Sequence, residues 1–437
     1  MKNILLISVC LCAMSASAET PIWLESDSAE AIQSRIRTDF PYTLDEFFEK
    51  VSSENPNITK ANFDRQVEKK YIETLEVDGQ IKVHRKAPRN MNLLNRDISK
   101  WQHRGWNANA KDISYIDSIL DPAKADGAAH RVVYRFSIDV PYHEALQGDT
   151  LRVWMPLPME TQRQSNILIR SVSHPDYELS DGRSVHNSIY FEVPVSNKGE
   201  NAHIEYTATF DTRGEFFPTD EILAKMKPYD TNSEVYKKYT AFEDPHIIPL
   251  EKLAKHIANG ETNPFLLSEK VYDYIVNNYP WAGAREYSTI GCMPKYVIEQ
   301  GHGDCGQVAL LYISLMRTLG VPARWESGWM IHPGDVGLHD WAEVYFEGVG
   351  WVPVDASFGR FTTSDNLDVV GFYSHGMDAY RLATNQGVCG EFCPPKRFVR
   401  SETVDAQLGE VETSRGNLFY LGWNSNLEII SVTPIQK

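Results

Sequence analysis

The rhythm of apolar and polar positions changes twice along this chain, and the changes predict its layout. From about Pro21 to Arg96, "YTLDEFFEKVSSENPNITKANFDRQVEKKYIETL" spaces its apolar residues three and four apart, with a break at Asn55-Pro56. That is helical period interrupted by a breaker. The following "EVDGQIKVHRKAP" reads as a turn and a short strand. Near His130 the period falls to two. "HRVVYRFSIDV", "DTLRVWMPLP", "NILIRSVSHP", "SIYFEVPV" and "NAHIEYTATFDTRG" alternate between turns of Gly, Asn, Asp and Pro, which predicts an antiparallel β-domain. From about Pro245 the period lengthens again. "FLLSEKVYDYIVNNYPW" predicts a helix ending at Pro280, and "DCGQVALLYISLMRTLG" predicts a second. Two strands follow, "HDWAEVYFEG" and "GWVPVDASFG", joined at Gly348-Val349-Gly350, and the tail "GNLFYLGWNSNLEIISVTP" offers two more.

Helices first and sheet after describe an α+β domain. The expected organisation is a leader over 1–18, a mostly helical region over 19–125, an antiparallel β-sandwich-like domain over 126–215 and an α+β domain over 216–437. The leader is "MKNILLISVCLCAMSASAET": Lys2, an apolar run, then Ala16-Ser17-Ala18. That is the layout of a secretory signal peptide cut after Ala18. The chain is therefore expected to be exported, to a periplasm or beyond. Lipid anchoring through Cys10 or Cys12 is the weaker reading, because both lie early in the segment and neither precedes a polar tether. No other run is long and apolar enough to span a membrane.

Composition narrows the partners. The net charge of -16 comes without any block of lysine and arginine, which argues against a nucleic-acid groove. Beyond the leader stand Cys292, Cys305, Cys389 and Cys393. Export permits disulfides, and Cys389 could pair with Cys393, or either with Cys292. Two cysteines four apart without a second ligand pair do not make a zinc site. "TTSDNLD", around Asp365 and Asp368, lacks the spacing of a calcium loop. No metal or cofactor is expected.

One cysteine stands apart. Asp304 is a plausible helix cap, and Val308, Leu311, Leu315 and Leu319 recur every three or four residues until Gly320. Cys305 thus falls in the first turn, where unpaired N–H groups and the helix dipole favour an anion. The thiol pKa is expected to fall from about 8.5, and the same N–H groups suit a developing oxyanion. His339 opens one following strand and Asp355 closes the next. If those strands pair, Asp355 can orient the imidazole while His339 takes the proton from Cys305. Asp340, next to His339, should point to the opposite strand face. His302 and His332 are lesser candidates for the base. Gln307 could line a cleft or face water, and Trp329 and Trp341 are further candidates for a groove.

These stretches, "GDCGQVALLYISLMRTLGVPAR" followed by "HDWAEVYFEGVGWVPVDASFG", resemble the core of the transglutaminase-like superfamily, a papain-related group. The likeness covers roughly residues 265 to 360. It implies Cys305 as nucleophile, His339 as base and Asp355 as orienting acid. It also implies an upstream oxyanion donor, for which Trp281 in "NNYPWAG" is the nearest candidate. "LRVWMPLP" is similar to a strand of the β-domain that secreted bacterial members place before this core. The expected activity is hydrolysis of an amide or peptide bond in a peptide, protein or cell-wall peptide. Transfer of the same acyl group to an amine, as in protein-glutamine cross-linking, is the first alternative. A peptide- or glycan-binding protein with a vestigial triad is the second.

Overall fold

A computed structural model describes residues 23–94 and 129–435, except 183, 197 and 361–364. The expected leader lies outside the described residues. The N-terminal region is helical as expected, over Ser28–Asp39, Leu44–Glu54, Lys60–Glu68 and Ala87–Leu94. Asn55 ends the second helix, ahead of the proline. The short hairpin Thr74–Val77 and Gln80–Val83 turns through Asp78 and Gly79, both at positive φ, the conformation a tight two-residue turn demands.

All five strands predicted between His130 and Gly214 are present: Ala129–Val140, Thr150–Pro156, Gln164–Val172, Ser188–Pro194 and Ala202–Arg213. They divide between two antiparallel sheets that share one core. Phe136, Ile138 and Tyr206 come from one sheet, and Val153, Met155 and Phe191 from the other.

The half that follows the β-domain is α+β, as expected. Helices Glu251–Ala258, Pro264–Asn278, Met293–Gln300 and Cys305–Thr318 pack on an antiparallel sheet in the order 350–354, 335–346, 323–332, 381–385. The helix that starts at Cys305 is the central post: every residue from Gly306 to Arg317 is buried. Such a helix needs no polar face.

The tail departs from the expected division at 216. Its strands Glu410–Glu412 and Asn424–Pro434 pair with the β-domain, Val411 opposite Val153 and Leu427 opposite Phe136. They do not extend the sheet of the α+β half. Alternation predicts that a segment is a strand, but its partner is set by which edge lies open in three dimensions. The chain thus leaves the β-domain, builds the second half and returns. Where it returns, Trp329 of the α+β half sits in the β-domain core, edge-on to Phe136, and donates its indole N–H to the Gln407 carbonyl at 3.1 Å. Trp329→Ala should lower stability by about 3–5 kcal/mol, measured by denaturant unfolding.

Candidate active site

The helix start is built as its sequence suggests. Asp304 caps the helix by accepting the Gln307 N–H at 3.1 Å, and Gln307 returns the bond by accepting the Asp304 N–H at 3.1 Å. This capping box accounts for Gln307, which is fully buried. It neither lines a cleft nor faces water. Trp281 runs beside Gly303 in a short bridge, with the Arg89 guanidinium over its ring at 4.9 Å. Trp341 is buried, and its indole N–H goes to Glu326 at 2.6 Å. Neither Trp329 nor Trp341 is placed as a groove wall, because each belongs to a core cluster.

The two predicted strands pair with Ala342 opposite Val354, and His339 meets Asp355 through Nε2 and Oδ2 at 2.6 Å. The His339 ring also lies edge-on to Phe358. Burial lowers the His339 pKa and outweighs the pull of Asp355, so the imidazole is neutral at pH 7. Burial works to raise the Asp355 pKa, but His339 and Arg381 hold it below its ordinary value. Arg381 stands 3.3 Å from Asp355 and 3.0 Å from Asp378, which is 3.1 Å from His332. His332 is therefore tied into this buried network rather than aimed at the thiol. His302 faces the Lys70 carbonyl at 3.1 Å, and burial pushes its pKa down to about 4.

Cys305 is not hydrogen-bonded to His339. Its Sγ donates to Asp340 Oδ2 at 3.3 Å. The alternation of the strand Asp335–Phe346 explains the split. Asp340 shares its face with Ala342, Val344 and Phe346, which pack with the Cys305 helix. His339 shares the other face with Trp341, which belongs to a different cluster. Asp340 does point away from His339, as alternation requires, and the face it points to is the one that carries Cys305. The thiol pKa is correspondingly not depressed. Burial pushes it well above its ordinary value, and Asp340 and Asp304 add to that, although the residue keeps some solvent contact. A helix terminus is worth about 0.3–1 kcal/mol to an anion, less than desolvation beside two carboxyls can cost. Cys292, Cys305, Cys389 and Cys393 are all free thiols, so neither the 389–393 pairing nor one with Cys292 is formed.

Several partners of the site were not legible in the chain. The N-terminal region supplies Asn90, whose amide exchanges two 2.9 Å bonds with the Gly283 backbone. It also supplies Glu73, which takes the Tyr296 hydroxyl at 2.6 Å. The tail supplies Gln407, whose Nε2 reaches the His339 carbonyl at 2.9 Å and Asp340 Oδ1 at 2.5 Å. None of these stands within a motif, and each is brought in by chain far away in sequence.

Residues 251–356 match the family model described as the transglutaminase-like superfamily. That segment includes Cys305, His339 and Asp355, and with the α+β architecture it supports the papain-related core expected above. An uncharacterized Bacillus subtilis protein, YebA, is 27% identical over 204 residues, 40% of this chain and 27% of YebA. The chain thus spans about a quarter of that relative's length. An uncharacterized Haemophilus influenzae protein is 22% identical over 268 residues, 52% of this chain and 69% of that protein. A solved structure, a provisionally named cysteine protease of Cytophaga hutchinsonii, is similar over 70% of this chain and 94% of its own, at 17% identity and a TM-score of 0.44. Among the described residues no helix is long and apolar enough to cross a membrane.

Removing the carboxylate that pairs with both His339 and Arg381 leaves a buried cation short of an anion. Asp355→Asn should cost about 3 kcal/mol at pH 7. Because the folded-state pKa of Asp355 is depressed, this stabilisation is present above the ordinary carboxyl pKa of about 4. It is lost as the pH falls through the folded value, so unfolding curves of wild type and variant should converge in acid.

Proposed function

We propose that this protein is an exported cysteine hydrolase that cleaves an amide or peptide bond through a thioester on Cys305, with His339 as base and Asp355 as its orienting partner. The observation that carries this reading is the hydrogen-bonded His339–Asp355 couple, held on the same sheet against which the buried helix opening at Cys305 packs. The superfamily match over the same segment supports it.

The chemistry runs in two halves. His339 removes the Cys305 proton, the thiolate adds to the substrate carbonyl, and the imidazolium returns its proton to the departing amine. Water activated by the same imidazole then adds to the thioester, and the acid leaves as Cys305 is regenerated. In this reading the N–H groups that open the helix at Cys305 and Gly306 serve as donors to the oxyanion. Trp281 remains a candidate for a further donor. Attack requires the thiol to leave Asp340 for the imidazole, and catalytic hydrogen bonds commonly tighten only when substrate is bound. Substrates in keeping with an exported enzyme are peptides, proteins or cell-wall peptides; the leader pattern carries the assignment to the periplasm or beyond. An amine in place of water would make the same thioester a cross-linking intermediate. The bond from Cys305 to Asp340 favours a second reading, a binding protein whose triad is idle.

One experiment separates these. A panel of peptides, including cell-wall peptides, is incubated with wild type, Cys305→Ala and His339→Ala, with and without a primary amine. Hydrolysis should fall at least about 100-fold in each variant, and an acyl adduct should be found on Cys305 by mass spectrometry. Turnover that survives in Cys305→Ala would sink the nucleophile. Amine incorporation in place of free acid would assign the transferase.

A further inference from the structure

The buried surroundings of Asp340 are built for it. A Cβ added at Gly306 would lie 2.7 Å from Asp340 Oδ2 and 2.5 Å from the Tyr287 hydroxyl, so only glycine lets this carboxyl reach the helix start. Oδ2 accepts the Cys305 thiol, Oδ1 accepts Gln407 Nε2, and Asp405 shares a hydrogen bond with the same carboxyl. Gln407 also holds the His339 carbonyl, so one side chain of the returning chain pins both neighbours on the strand. The charged and titratable groups around Asp340 come from three elements. Asp304 and Cys305 open the helix, and Tyr287 gives its hydroxyl to Asp304. Glu402 and Asp405 belong to the returning segment, where Arg400 donates to the Asp405 carbonyl.

We propose that Asp340, clamped by Gln407 and Asp405, is a positioning residue that holds Cys305 as a protonated hydrogen-bond donor, so that the 402–407 segment governs when the thiol becomes available to His339. This rests on the reading of Cys305 as nucleophile. The thiol proton stays on sulfur while Asp340 accepts it. When the segment releases Asp340, the proton passes to the imidazole and the thiolate is left at the helix start. Burial, and then Asp304, push the Asp340 carboxyl up to about 7. Above that pH the carboxylate opposes a second negative charge 3.3 Å away, and the thiol resists ionisation.

The test is the rate of iodoacetamide labelling of Cys305 across pH 5 to 10. The Cys305 peptide is followed by mass spectrometry because Cys292, Cys389 and Cys393 are also free. Asp340→Asn keeps the shape and removes the charge. It should label at least about tenfold faster at pH 7.5, with its midpoint lower by about one pH unit or more. Gln407→Ala, which does not touch the thiol, should move the profile in the same direction. Unchanged or slower labelling in folded Asp340→Asn overturns the proposal. If a thermal melt shows that this variant does not fold, Gln407→Ala decides by the same readout. Peptide hydrolysis that persists in Cys305→Ala is a separate failure, of the nucleophile and not of the clamp, since the labelling profile requires no turnover.

Discussion

Neighbouring residues of a β-strand face opposite sides of the sheet, and this pleat divides the candidate chemistry at His339 and Asp340. One side carries the imidazole, Asp355 and Arg381; the other carries the thiol and Asp340. Everything else in the site follows from keeping that strand in register. The helix 305–318 is buried on nearly every residue against one face, so it cannot rotate to present Cys305 elsewhere without breaking its core.

The buried charges show why such a site needs distant chain to support it. Asp355, Arg381 and Asp378 form a dry line of alternating charge, and each would be costly alone. Around Cys305 the balance is different, because Asp304, Asp340, Glu402 and Asp405 are all carboxyls whose pKa values burial raises. Such groups are accommodated by sharing protons and by amide and hydroxyl donors such as Gln407 and Tyr287. The N-terminal helices and the tail thus work as outer supports. They satisfy polar groups of the 281–304 approach and of the histidine strand that the α+β half leaves open.

Much of the architecture was legible because it is local. The capped helix at Asp304, the break at Asn55, the alternating strands of the β-domain and the hairpin carrying His339 and Asp355 each depend on one short contiguous stretch. So did the opposed faces of His339 and Asp340. Gln307 was misread for the same reason: a capping box needs Glu or Gln at the third helical position, and that local role uses up the side chain.

Local patterns in the chain determined the helix that begins at Cys305, the paired strands and the alternation along them. The tertiary structure alone decided what meets the thiol. Whether Cys305 faces an imidazole or a carboxyl depends on which side of the sheet the helix packs, a choice made by the whole apolar core and not by the motif. The pairing of the tail with the β-domain, which delivers Gln407 and Asp405, is likewise a matter of which sheet edges lie open. Pairing and packing are non-local: their free energy belongs to surfaces formed by residues hundreds of positions apart, and no short pattern carries it.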